Sequence, residues 1–192
     1  MEEKILNATL KVLAAEGYDG ARTRAIAEEA GVSEVTLFRK FKNKENLIKE
    51  AKKLKLENAL ERMEKLFQSI EGNCFEASVS ALGNRISDSL DKKTNMITMA
   101  IEELQRLPAS ERMIPKYINA MHDHLAKYFD SQIEVGNMRR VDPQIAALSF
   151  FSFLFYTNFF CKPNKAGKEI RTLEGFLDIF MNGVRSLEKK IE

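Results

Sequence analysis

Tryptophan is absent from the 192 residues, cysteine and histidine occur twice each, and proline occurs four times. Cys74 and Cys161 lie too far apart for a metal or redox motif and are too few for a disulfide framework, which points to a reducing cytoplasm. The two histidines, His122 and His124, stand two apart on an expected helix and so face different ways; no metal and no other cofactor is expected. Glu102 and Glu103 are adjacent and diverge as well. No Ser/His/Asp, Cys/His or Glu-x-x-His arrangement is present, which argues against a helix-bundle enzyme or lipid carrier. An excess of one charge is also lacking: 30 Lys+Arg meet 28 Asp+Glu, and a net charge of +2 implies no general affinity for nucleic acid, so any basic function must come from local clustering. The charged opening Met1-Glu-Glu-Lys is followed by no long apolar stretch, so no signal peptide is expected. The longest apolar run, IAALSFFSFLFYTNFFC at 145–161, carries Ser149, Ser152, Thr157 and Asn158 and reads as a buried helix, not a membrane span.

What remains is helical in pattern. Hydrophobic residues make up 44% of the chain, enough for a real core, and they recur at three- and four-residue spacing without sustained alternation, so the fold is expected to be all-α. Ile5, Ala8, Thr9, Val12 and Leu13 mark one face of a first helix, with Gly17 as its expected left-handed terminator. Thr23 is placed to cap a second helix whose buried stripe is Ile26, Ala27 and Ala30, and Gly31 permits a tight turn. Ser33 caps a short third helix in which Leu37 and Phe41 point inward; Val35, Arg39 and Lys42 point nearly opposite, flanked by Thr36 and Phe38. Val32 and Leu37 are spaced for a hydrophobic staple. Asn43 caps a long charged fourth helix reaching about Ile70. Further helices are expected near 74–92, 95–107, 111–135, 142–161 and 168–190, with breaks at Leu107-Pro108 and Gly136-Asn137 and a firm start at Asp142-Pro143.

Charge, though balanced overall, is clustered. Between Thr36 and Lys55 the cations Arg39, Lys40, Lys42, Lys44, Lys49, Lys52, Lys53 and Lys55 face only Glu45 and Glu50. Lys44 opens the fourth helix, where the helix dipole disfavours a cation by roughly 0.3–1 kcal/mol. The same free N–H groups beside a lysine make a phosphate site. A basic face alone is usually just solvated, and each cap alone is ordinary. Their order carries the information: cap, small-residue helix, glycine turn, cap, short amphipathic helix, cap, long helix. That is the arrangement of a helix-turn-helix, whose second helix reads bases in the major groove from its N-terminal residues.

The segment ILNATLKVLAAEGYDGARTRAIAEEAGVSEVTLFRKFKNKENLI, Ile5 to Ile48, holds I-A-x-x-A-G-V-S followed by T-L-[aromatic]-x-x-F-x-[N/S]-K-E-x-L, and resembles the TetR/AcrR family of transcriptional regulators. GNMRRVDPQIAA at 136–147 is similar to the family's usual approach to its penultimate helix. The resemblance implies an N-terminal three-helix DNA-binding domain at 1–48, a helical ligand-binding and dimerisation domain at 49–192, a homodimer, a double-stranded DNA operator and no enzymatic activity. Carried over by position, Thr23 and Lys44 would contact phosphate, while Arg24, Glu34, Val35, Thr36 and Arg39 would lie at or near base edges; Ser33, Lys40 and Lys42 complete the set. Phe38 stands where the family usually has tyrosine and, lacking the hydroxyl, offers only an apolar contact.

The second domain is less legible. Met96, Met99, Met113, Met121, Phe151, Phe155 and Phe159 are candidates for an apolar cavity, though such a stripe is more often core. An apolar or amphipathic effector is expected, met by Met99, Tyr117, Met121, His122, Phe155 and Tyr156. The resemblance places the dimer bundle on the last two helices, with Ala146, Ser149 and Ser152 allowing close approach and Phe151 and Phe180 supplying apolar contact. The expected function is a homodimeric repressor released from a palindromic operator by its ligand. The alternative keeps the DNA-binding domain and makes the rest a dimerisation or protein-interaction module without an inducer.

Overall fold

Alanines at the packed faces allow the first helices to lie close together. The structure, a computed structural model, describes residues 1–91, 104–105, 107–108, 112–160 and 172–184. Eight helices and no strand occur among the described residues, with Met138 an isolated bridge residue. They are α1 (Glu2–Gly20), α2 (Thr23–Ala30), α3 (Glu34–Phe41), α4 (Lys44–Gln68), α5 (Phe75–Asp91), α6 (Met113–Glu134), α7 (Pro143–Phe160) and α8 (Thr172–Val184). The helix expected at 95–107 falls almost wholly outside the described residues, as does the expected start near Lys168. The chain divides into two compact units, Met1–Glu61 and Arg62–Glu192.

In the first unit Ile5, Ala8 and Val12 of α1, Ile26, Ala27 and Ala30 of α2, Leu37 and Phe41 of α3, and Leu47 and Ala51 of α4 form one buried cluster. Because Leu47, Ala51 and the partly buried Leu54 belong to that cluster, the unit extends past residue 48 into α4. The buried Thr9 hydroxyl is satisfied by donating to the Ile5 carbonyl at 2.8 Å. Gly17 interrupts α1 with φ 70 and ψ −179, an extended backbone region reserved for glycine and not the left-handed helical terminator expected. Gly31 does adopt that left-handed conformation, at φ 64 and ψ 40. Its N–H donates to the Glu28 carbonyl and the Val32 N–H to the Ala27 carbonyl, which is the Schellman ending of α2.

The turn from α3 to α4 is tighter still. Lys42 is the one non-glycine residue with positive φ among the described residues, at φ 67 and ψ −52, and the Asn43 N–H donates to the Phe41 carbonyl across it at 2.8 Å. This is the γ-turn with a positive-φ centre, a rare and strained form. Asn43 then caps α4 by accepting from the Asn46 N–H at 2.8 Å.

In the second unit α6 packs on α7, and α5 on both α7 and α8. A Cβ on Gly83 would lie 3.3 Å from the Leu173 and Leu177 side chains, so glycine sets the approach of α5 to α8. Phe129, Phe150, Phe176 and Phe180 form a ring cluster, and Phe153 stacks on Phe176 at 4.0 Å. Asp142 caps α7 as expected, accepting from the Gln144 N–H at 2.8 Å, with Pro143 in the first helical position. The Arg139 N–H donates to the Val184 carbonyl at 2.7 Å, and its guanidinium donates to the Gly183 carbonyl, closing the end of α8. Among the described residues no helix is long and apolar enough to cross a membrane.

The two tight turns make opposite predictions. Gly31→Val should destabilise the first unit by about 1–2 kcal/mol, since β-branched residues do not tolerate left-handed backbone, and Gly31→Asn should lose less. Lys42→Gly should relieve about 1–3 kcal/mol of strain against about 0.4–1 kcal/mol of added unfolded-state entropy, a net gain near 1 kcal/mol. Urea unfolding followed by circular dichroism measures both; a Lys42→Gly protein less stable than wild type would refute the strain.

Candidate nucleic-acid interface

Leu37 and Phe41 are fully buried, and this fixes which residues of α3 point outward. Val35 is 77% exposed and Phe38 40%, while Arg39 and Lys40 are exposed beside them. Ser33 caps the helix as expected, its hydroxyl accepting from the Thr36 N–H at 3.2 Å and lying 3.0 Å from the Thr36 hydroxyl. Eight residues make a helix roughly 12 Å long, about the width of a B-DNA major groove.

Thr23 does not cap α2. The cap position belongs to Arg22, which makes no side-chain cap bond, and Thr23 is the first helical residue. Its hydroxyl donates instead to Glu34 Oε2 at 2.8 Å, tying the start of α2 to the start of α3. The other cations of this surface are mostly engaged within the unit. Arg24 pairs with Glu28 at 3.0 Å one turn on, and Lys40 reaches Glu2 at 3.4 Å. Lys44 donates to the Tyr18 carbonyl at 2.9 Å and lies 5.4 Å from the centre of the Tyr18 ring. That partner offsets the unfavourable dipole at its helix start, and two of its three protons remain for another acceptor. The side chains of Arg39 and Lys42 make no hydrogen bond or ion pair among the described residues.

Sequence reasoning missed the Thr23–Glu34 and Lys44–Tyr18 ties because they join residues 11 and 26 apart, across turns that no helical periodicity spans. It missed the strained Lys42 because lysine carries no turn signal.

Of the expected effector residues, Tyr117, Met121 and His122 lie on α6, and Phe155 and Tyr156 lie on α7. Tyr117 and Met121 are buried one turn apart on α6, Phe155 is half-buried 6.1 Å from the Phe151 ring, and Met99 lies outside the described residues. His122 is engaged with the Gln144 carbonyl at 3.0 Å, and Tyr156 is 59% exposed. His124 instead stacks on Phe67 at 5.1 Å, so the two histidines have separate surroundings. The second unit has a cleft of ≈ 360 Å³ beside the turn at 71–73, walled by Phe67, His124, Lys127, Tyr128 and Gln132 and by none of the six expected effector residues. Burial pushes the Tyr128 phenol above 10.0, with a hydrogen bond to Ser78 acting in the opposite direction.

The expected dimer residues divide in two. Ser149 and Ser152 are exposed, whereas Ala146, Phe151 and Phe180 are buried within their own chain at 6%, 5% and 8% exposure. Those three belong to the core of the second unit. The outward apolar residues of the same helices are Ile145, Leu148 and Tyr156 on α7 and Ile179 on α8.

Comparison with known proteins bears on what this surface does. The family profile described as bacterial regulatory proteins, tetR family, matches residues 5–51. The HTH-type transcriptional regulator YvkB of Bacillus subtilis is 26% identical over 153 residues, covering 80% of this chain and 78% of that protein. A tetR-family transcriptional regulator from Mesorhizobium loti shares the fold with a TM-score of 0.74 at 20% identity, over 96% of each chain. The regulator FadR of Bacillus subtilis, solved in complex with stearoyl-CoA, does so with a TM-score of 0.64 at 21% identity, over 93% of this chain and 95% of that one. Residues 5–51 match the DNA-binding segment of the tetR family of bacterial regulatory proteins, and the chain as a whole is similar to an HTH-type transcriptional regulator and shares its fold with TetR-family regulators.

Proposed function

We propose that the protein is a homodimeric repressor that reads a palindromic operator with α3 and leaves it when a hydrophobic or amphipathic ligand binds the second unit. The observation that carries the DNA reading is the outward face of α3, where Val35, Thr36 and Arg39 stand opposite the buried Leu37 and Phe41. Arg39, without an internal partner, is the base reader; Lys40, Lys42, Lys44 and the N–H groups at the start of α2 meet phosphates.

The dimer is formed by the outward faces of α7 and α8. Ile145, Leu148 and Tyr156 recur at helical spacing with Ser149 and Ser152 between them, and Ile179 is 74% exposed. Such a stripe is characteristic of a covered surface. Ligand acts by binding one of two dimer arrangements more tightly, only one of which sets the two α3 helices about 34–36 Å apart for successive major grooves. Support for an acyl ligand comes from the stearoyl-CoA complex of FadR and from the buried Tyr117 and Met121 on α6, a helix with an apolar inner stripe. The cytoplasm is the place of action.

Arg39→Ala should lower operator affinity and relax preference at one base pair per half-site by about 1–3 kcal/mol, whereas Lys44→Ala should weaken binding to all sequences and reduce the salt slope by about one unit. Gel shifts on selected and scrambled DNA at several salt concentrations separate the two, and equal loss on both DNAs for Arg39→Ala would remove α3 as the reader.

Leu148→Glu or Ile179→Glu should yield a folded monomer with weakened operator binding, while Phe151→Glu should unfold the second unit. A stable wild-type monomer at micromolar concentration in sedimentation would exclude the dimer.

Fatty acyl compounds at 100 times their dissociation constant should stabilise the protein by about 2.7 kcal/mol and release operator. Sugars and nucleotides should do neither. Thermal unfolding with and without each compound is the measurement, and indifference to acyl compounds would leave the second unit as a dimerisation or protein-interaction module.

A further inference from the structure

We propose that Glu34 reads a cytosine in the operator and that Thr23 is its positioning residue, its hydroxyl serving Glu34 and not a phosphate. This rests on the reading that α3 enters the major groove. A hydroxyl has one proton, and that of Thr23 is given to Glu34 Oε2 at 2.8 Å. A phosphate oxygen only accepts, so the Thr23 hydroxyl cannot donate to phosphate while this bond stands.

Glu34 is the first residue of α3, the end from which such helices contact base edges. It is partly buried, and among the described residues it has no cationic partner: the nearby Arg24 is paired with Glu28, and Glu34 Oε1 takes part in no hydrogen bond. A carboxylate so placed is repelled by phosphates unless it faces a hydrogen-bond donor. The Thr23 bond holds one oxygen back against α2 and leaves the other available to a donor.

The major groove offers two amine donors, cytosine N4 and adenine N6. Adenine N6 has the N7 acceptor beside it, which repels a carboxylate, whereas cytosine N4 is flanked by a C–H. Guanine and thymine present acceptors at the corresponding position. Cytosine is therefore the base that a carboxylate selects, and Glu34 also disfavours the other three.

The test is selection of bound fragments from random DNA by the full-length protein and its variants, followed by affinity measurements on the selected site. Wild type should select cytosine at one position of each half-site. Glu34→Ala should lose that preference by about tenfold to a hundredfold and leave the other positions unchanged. Glu34→Gln, which keeps the shape, should shift the preference toward adenine, since an amide matches N6 and N7 together. Thr23→Val removes the hydroxyl at nearly constant volume and should weaken the preference at the same position, with an unchanged salt slope. The double variant Thr23→Val/Glu34→Ala should be no worse there than Glu34→Ala. If Thr23→Val instead weakens binding to every sequence equally, and Glu34→Ala strengthens it equally, the inference is overturned. If Arg39→Ala changes base preference and Glu34→Ala and Glu34→Gln do not, this inference fails while the α3 reading stands; if wild type selects no sequence, the α3 reading itself fails.

Discussion

Burial of Leu37 and Phe41 sets the rotation of α3, and the outward surface of the first unit depends on that rotation. Each such side chain contributes about 1.5–3 kcal/mol when taken from water, and both are within 2% of complete burial. Turning the helix by one residue would swing them out and bring Phe38 or Lys42 against the core. No single surface ion pair competes, since exposed pairs are worth about 0–1 kcal/mol. The turns on either side reinforce the orientation, because neither has slack: Gly31 closes α2 through left-handed backbone, and only the strained Lys42 and the cap residue Asn43 join α3 to α4. The strain at Lys42 persists because the buried cluster holding Phe41 and Leu47 over-determines the path between them.

The surface thus presented is economical in free charge. Of the cations on the outward face, Arg24, Lys40 and Lys44 each have a partner inside the unit. The exposed pairs are weak enough to be exchanged for phosphate, so they shape the unbound surface without opposing binding by more than about 1 kcal/mol each. With a net charge of only +2, attraction to DNA rests on the local cluster of cations and not on the chain as a whole. In the proposed complex, discrimination rests on the few groups at base edges, which is why the placement of one carboxylate at the head of α3 matters there.

What was legible in the sequence follows from the reach of its signals. Caps and periodicity act within one turn of helix, so Ser33, Asn43, Asp142 and the inward faces of α2 and α3 were readable one by one. Thr23 has the composition of a cap but sits one residue inside the helix, where its hydroxyl finds Glu34 in place of a free N–H. Gly17 signals a helix break correctly, yet residue type alone does not distinguish the two positive-φ backbones open to glycine. The 1–48 boundary was drawn from the motif, whereas the core that holds the motif in place draws Leu47, Ala51 and Leu54 from α4.

The second unit was less legible for a different reason. In α7 the apolar residues run almost all round the helix, so period gives no inside and no outside; Phe151 and Ile145 look alike until the neighbours are known. The neighbours decide it: α6 and α8 bring Phe129, Phe176 and Phe180 against Phe150, which commits that side of α7 to its own chain and leaves Ile145, Leu148 and Tyr156 outward. A helix apolar on both sides belongs to two packed surfaces at once. The inner one is satisfied within the chain; in the proposed dimer the outer one meets the second copy, so rotation or sliding there would change the dimer without disturbing the core.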